Sequence, residues 1–155
     1  MDVNKEKKLY ELEPDFFSEG IACKSGILTE KDTCMFWGCE CGDGWFEPLK
    51  NFLRKVKYLN ALLREYNGVI VCEQLKEKYG ELTVYWTVKK YDPEKEYYDT
   101  EKINLISDIF CDCLRTAEVE CWNVCEICGS KHDIITTNGY IQRICKDCAA
   151  KNKEC

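Results

Sequence analysis

Two Cys-x-x-Cys knuckles, Cys125-Glu126-Ile127-Cys128 and Cys145-Lys146-Asp147-Cys148, stand sixteen residues apart. Sulfur is a soft donor, and each knuckle at such a separation offers two corners of a tetrahedron, the C-x2-C-x(15–20)-C-x2-C spacing of a zinc ribbon. Four thiolates close the coordination shell. With no position left for a reacting water, the expected cofactor is one structural Zn2+ rather than a catalytic one. An iron–sulfur cluster or a single iron is the lesser alternative for the same donors. His132 lies between the knuckles but the shell needs no fifth ligand, so it reads as an exposed loop residue. It is the only histidine, which disfavours a serine or cysteine triad of the usual kind.

The remaining thiols read differently. Cys34, Cys39, Cys41, Cys111 and Cys113 do not have knuckle spacing, and positions 111 and 113 diverge by about 200° around a helix. They are expected to be buried or surface thiols, with a second metal site left open, while Cys23 and Cys155 are expected to be exposed and oxidisable. The Cys41-Gly-Asp-Gly-Trp45 turn supports two readings. In one, Glu40 and Asp43 form an acid pair beside Trp45, facing Lys76 and Lys78 across a groove. In the other, Asp43 or Gly44 caps the helix that follows, Trp37 and Trp45 fill the core and the lysines are solvated; the second is preferred.

The elements that must position these residues follow from periodicity. From Pro48 to Tyr66, Leu49, Phe52, Leu53, Val56, Leu59, Leu62 and Leu63 recur at helical steps, with Asn67-Gly68 as the stop. Val69–Leu75 and Leu82–Lys89 read as an antiparallel pair of strands, with Leu82, Val84, Trp86 and Val88 on one face. Residues 90–100 read as an exposed loop. A second helix is predicted from Glu101 to about Val119, with Ile103, Ile106, Phe110 and Leu114 as its stripe. Between the knuckles, a hairpin is expected to turn near Asn138-Gly139. Residues 1–33 look polar and irregular, with Leu9, Leu12, Phe16 and Phe17 as docking points, Pro14 opening a short helix and the first residues frayed. Met35–Cys39 reads as a short strand.

The chain of 155 residues is long enough for one moderate core and a small appendage. The division expected is an α+β main domain over residues 1–120 and a zinc-ribbon module over 121–155. Thirteen cysteines would suit a disulfide scaffold, but the opening MDVNKEKKLY lacks a basic segment followed by an apolar one. No 18-residue apolar run suggests a membrane span. An odd thiol count with paired knuckles fits a reducing compartment, so the cytoplasm is the expected location and no membrane partner is expected. The formal charge is −6; residues 121–155 carry five basic and four acidic groups, leaving 17 basic and 24 acidic ones in the first 120. An acidic body argues against nucleic-acid binding by bulk electrostatics.

Three ordered motifs, Cys41-Gly-Asp-Gly-Trp45-Phe46, Leu75-Lys-Glu-Lys-Tyr-Gly80 and the pair Cys125-Glu-Ile-Cys128-Gly with Cys145-Lys-Asp-Cys148-Ala, resemble an uncharacterised family of small zinc-ribbon proteins of bacteriophages and prophages. Its pattern is an ECGDGW turn, a VKEKFG-type turn and a terminal CxxCG…CxxCA ribbon. The resemblance spans roughly residues 34–149. It departs after Gly80, where Glu-Leu-Thr-Val-Tyr stands in place of a strand carrying a basic residue, and at Gly139-Tyr140 in place of Gly-Trp. It implies a phage or prophage context, hence a bacterial host cell, and no particular reaction.

The expected fold is α+β: two amphipathic helices on a small antiparallel sheet, with a treble-clef-like or simple four-cysteine zinc ribbon at the carboxyl end. The expected role is a non-enzymatic interaction protein that engages a host defence or transcription component, its partner a protein. One alternative is a nucleic-acid-binding ribbon in which Lys131, Arg143, Lys146 and Lys151 meet phosphate while Tyr140 stacks on a base. Another is a ligand-binding protein or enzyme built on Glu40, Asp43, Trp45 and Lys76.

Overall fold

The computed structural model describes residues 1–152; Cys155 lies outside them. Among the described residues the fold is α+β, with five helices, a three-stranded sheet and a two-stranded one. The longest helical pattern becomes α3 (Phe46–Glu65), which buries Leu49, Phe52, Leu53, Val56 and Leu63, while Leu62 stays partly exposed. The second becomes α4 (Thr100–Trp122), whose first turn is capped by the Asp99 carboxylate accepting from the Lys102 N–H at 3.0 Å. Ile103, Ile106, Phe110 and Leu114 are buried as expected, and the helix continues three residues past Val119.

The predicted strand pair is present and longer than expected. β2 (Gly68–Lys78) and β3 (Glu81–Lys90) are antiparallel, and the Lys-Glu-Lys segment read as a connection is part of β2. The turn is only Tyr79-Gly80, at φ 57° and 83°, the left-handed pair that a two-residue hairpin of native twist demands. A short strand, β1 (Cys39–Glu40), runs parallel to β2 with Cys39 opposite Leu75 and Glu40 opposite Lys76, so the sheet is mixed and ordered β1-β2-β3. The expected strand over Met35–Cys39 is instead a 3-10 turn, Cys34–Trp37, in which the Thr33 hydroxyl accepts from the Met35 N–H.

The amino-terminal third departs most from expectation. It contains α1 (Val3–Leu12) and α2 (Ser18–Lys24), with Pro14 in the turn between them rather than opening a helix. The first residues are docked, not frayed: the Asp2 carboxylate caps α1, the Asp2 N–H donates to Asp43 at 2.6 Å and the Met1 amine donates to the Cys39 carbonyl at 3.2 Å. Phe16 and Phe17 are fully buried. Aromatic rings then run through the core, Phe16 to Phe52 at 6.0 Å, Phe52 to Phe110 at 5.6 Å and Phe110 to Trp86 of β3 at 4.6 Å.

Asn60 lies on the polar side of the α3 pattern, yet it is buried. Its side chain accepts from the Ile70 N–H at 2.8 Å and donates to the Ile70 carbonyl at 3.2 Å and to Glu13 at 2.9 Å. It thereby does for β2 what a neighbouring strand would do, beside the point where the Cys72 N–H donates to the Phe16 carbonyl at 2.7 Å. Among the described residues, no helix is long and apolar enough to cross a membrane.

Candidate metal centre and the turn that clasps it

After α4 the chain enters the first knuckle, forms the hairpin β4 (Ile134–Thr136) and β5 (Arg143–Cys145), and continues into α5 (Lys146–Asn152). Knuckle, hairpin and helix in this order are the treble-clef arrangement. Cys145 closes β5, and Cys148 sits in the first turn of α5. The knuckle backbone is fixed locally, the Cys125 carbonyl accepting from the Gly129 N–H at 2.8 Å and the Cys125 N–H donating to the Ser130 carbonyl at 2.7 Å. Gly129 takes φ 77°, a left-handed conformation that glycine adopts without strain. The Glu126 N–H donates to the Arg143 carbonyl at 2.9 Å, tying the first knuckle to β5.

The four Sγ atoms of Cys125, Cys128, Cys145 and Cys148 lie within 4.8 Å of one another and could hold a metal ion. Cys128 and Cys145 are 3.7 Å apart, against about 3.8 Å for the edge of a tetrahedron with metal–sulfur bonds of about 2.3 Å. The electrostatics also suit a cation. Burial pushes the Cys125 thiol up, but the backbone N–H groups of Cys128 and Cys145, the Cys128 thiol and the Ile127 N–H outweigh it and bring it down to about 7. Cys148 moves the other way, raised by desolvation and by the three sulfurs around it. One thiolate is therefore favoured, and further ones at this spacing need a positive charge among them.

The Gly-Asp-Gly turn is the seat of the first knuckle. The Gly44 N–H donates to the Glu126 carbonyl at 2.7 Å, and the Gly42 N–H donates to the Glu126 carboxylate at 2.9 Å. A Cβ on Gly44 would stand 2.0 Å from the Cys125 carbonyl oxygen and 2.4 Å from the Gly129 nitrogen, so only glycine lets the two backbones meet. Glu126 is buried and, among the described residues, its second carboxylate oxygen has no partner. Desolvation raises its pKa, against the Gly42 N–H that lowers it. Neither the buried glutamate nor the glycine contact is legible from periodicity, because residues 42 and 126 lie on separate elements; the paired glycines before Trp45 are the signal the sequence offers.

The surface residues expected from sequence are dispersed. Trp45 is 0 % exposed and belongs to the core. Asp43 does not cap α3, which starts with Trp45 as its N-cap and no side-chain cap bond; the Asp43 carboxylate instead accepts from the Asp2 N–H and pairs with Lys5 at 3.3 Å, which lowers its pKa, the Asp2 bond first. Glu40 accepts from Gln74 at 3.0 Å. Arg143 lies over the Trp122 ring at 4.1 Å and donates to the Trp122 carbonyl at 3.1 Å and the Thr136 hydroxyl at 2.9 Å. Lys76 and Lys78 stand over Tyr85 and Tyr79 and line a groove of about 370 Å³ with Tyr140 and Ile141. Trp37, expected in the core, is 63 % exposed and stacks edge-on against Phe36. Among the other cysteines, Cys39 and Cys41 are buried, Cys34 is exposed, and Cys23, Cys111 and Cys113 are half-buried; among the described residues only the four knuckle cysteines form a metal-holding group. His132 is exposed.

No protein-family model, curated protein or solved structure matches this chain.

Proposed function

We propose that the protein is a zinc-stapled interaction module, non-enzymatic, in which Cys125, Cys128, Cys145 and Cys148 hold a structural Zn2+ and the assembled surface engages another macromolecule. The observation that carries the reading is the clasp of the first knuckle onto the Gly42–Gly44 turn. The motif best suited to chemistry is thereby committed to holding the metal lobe in place, with Trp45 in the core and Asp43 tied to the amino terminus. Soft sulfur in a closed tetrahedral set selects zinc over harder ions.

The resemblance to phage and prophage ribbon proteins and the reducing-compartment signature support a bacterial cytoplasm as its place of action. A host defence or transcription protein with a basic face is the partner that an acidic body of net −7, 17 basic groups against 24 acidic ones, best complements. The test is elemental analysis of purified protein followed by affinity capture from bacterial lysate. One zinc per chain and a partner retained by the wild type but lost from Cys128→Ser support the reading. Metal-free protein with an unchanged fold refutes it.

A second reading rests on the groove between the two hairpin tips. Tyr79 is 69 % and Tyr140 75 % exposed, and Lys76 and Lys78 line the groove with them, the pairing of flat rings and ammonium groups that suits single-stranded nucleic acid. Mobility shift at two salt concentrations separates the readings, since phosphate contacts weaken steeply with salt and a protein partner leaves no shift at all.

A further inference from the structure

We propose that the chain forms a two-fold dimer by antiparallel pairing of β3 with β3 of a second copy. β3 is the terminal strand of the sheet, and it carries no charge or proline from Leu82 to Val88. Among the described residues no backbone group of Leu82 to Val88 bonds outside the β2 ladder. Uncovered edges of this length and composition are ones that soluble proteins blunt or cover.

The direction of the free groups is fixed by the other side of the sheet. Ile70 turns its N–H and carbonyl away from β3 to Asn60, so its opposite residue, Val88, turns its own away from β2. The Cys72 N–H goes to Phe16 in the same sense, which sets Trp86 likewise. By alternation the outward groups of β3 belong to Leu82, Val84, Trp86 and Val88, because the bulge in this ladder falls on β2, between Cys72 and Gln74.

One antiparallel register satisfies them all. With Tyr85 opposite Tyr85 of the second copy, Val84 faces the second copy's Trp86 and Leu82 its Val88, so every outward N–H and carbonyl from Leu82 to Val88 gains a partner. On the other face of the strand, Thr83 meets Thr87 and Glu81 meets Lys89, each pair occurring twice; the Lys89 ammonium also pairs with Glu19 of its own chain at 2.5 Å. Opposite charges and paired threonines across strands are stabilising, and shifting the register by two residues removes the Glu81–Lys89 match. A groove of about 430 Å³ at the start of β3, lined by Leu82, Val84, Val119 and Trp122 together with Glu81 and Glu118, gives room for side chains of the second copy at that end. The charge pattern of β3, acidic at its start and basic at its end, is self-complementary only when antiparallel, which favours a copy of this chain over an unrelated strand.

Sedimentation equilibrium on the full zinc-loaded chain, from nanomolar to high micromolar, tests the proposal. Twice the chain mass is expected, falling to the monomer on dilution. Tyr85→Lys, at a side chain 46 % exposed, sets two ammonium groups opposite each other on the axis and is expected to weaken association at least tenfold with circular dichroism and zinc content unchanged. Glu81→Lys and Lys89→Glu are each expected to weaken it, Lys89→Glu also by breaking its own chain's pair with Glu19, and the double variant to recover the part lost between copies. A chain monomeric throughout, a dimer indifferent to Tyr85→Lys, or a double variant weaker than either single one overturns the proposal; the first result leaves the edge to an extended segment of a different protein. Zinc stoichiometry is read separately, so failure here is distinguishable from failure of the zinc reading.

Discussion

At Gly44 a single methyl group decides whether the metal lobe can seat. The backbone atoms its Cβ would meet are held by hydrogen bonds inside the knuckle and cannot yield as a flexible side chain would. Gly44→Ala is therefore expected to destabilise by about 2–4 kcal/mol in urea titration, above the usual range for overpacking. Gly26→Ala is the control: among the described residues its Cβ would meet nothing within 4 Å, but φ is 73°, so only the conformational cost of about 1 kcal/mol remains. Glu13 offers a test by pH. Desolvation raises its pKa above the ordinary 4.5 in spite of the bond from Asn60. A carboxyl whose pKa rises on folding holds its proton more tightly in the native state, so it lends stability below 4.5 and loses that contribution as pH climbs through the raised value. Glu13→Gln keeps an acceptor for Asn60 and removes the charge. Its urea midpoint is expected to exceed that of the wild type at neutral pH, with the gain vanishing as pH falls below 4.5.

Between elements, the knuckle and the turn are expected to act together, since the polar contacts that Gly42 and Gly44 donate to the ribbon both end on Glu126, one residue from Cys125 of the metal-holding group. Chelation is expected to release protection from hydrogen exchange at the Gly42 and Gly44 amides as well as in β4 and β5, while amides of α3 and the β2–β3 ladder stay protected. Unchanged protection at Gly44 after metal removal would break the link. The elements involved are unequally legible in the sequence. α3, α4, the β2–β3 pair and the four knuckle cysteines announce themselves by period or spacing. α1 does not, because VNKEKKLYEL has too few apolar residues to draw a stripe; Leu9 and Tyr10 bury only because α3 and α2 lie beside them. β1 spans two residues and exists through pairing with a strand 36 positions away, as Cys39 does with Leu75. Asn60 falls on the solvated face by period since its partners, Glu13 and Ile70, belong to other elements.

At the scale of the whole molecule, the described residues form two buried clusters of very different size. The large one joins α1, α3, α4 and the three-stranded sheet through Phe16, Phe52, Phe110 and their neighbours. The small one, among the described residues, has Cys125, Ile144 and Cys145 as its buried members, two of them knuckle cysteines. So few buried side chains cannot offset the cost of ordering a lobe of roughly thirty residues at about 1–2 kcal/mol each, whereas a structural zinc site contributes about 10–16 kcal/mol. The lobe is thus expected to fold on its metal and the body on its aromatic core, the two meeting at the Gly44 seat. Cys128→Ser, which changes the most exposed of the four knuckle cysteines, separates these sources of stability. The variant is expected to lose its zinc and to lower the melting temperature, while its far-ultraviolet circular dichroism keeps the helical signal of α3 and α4. Full zinc occupancy with an unshifted melting curve would mean that sulfur at position 128 does not bind the metal; complete loss of helical signal would mean that the body, too, depends on the clasp.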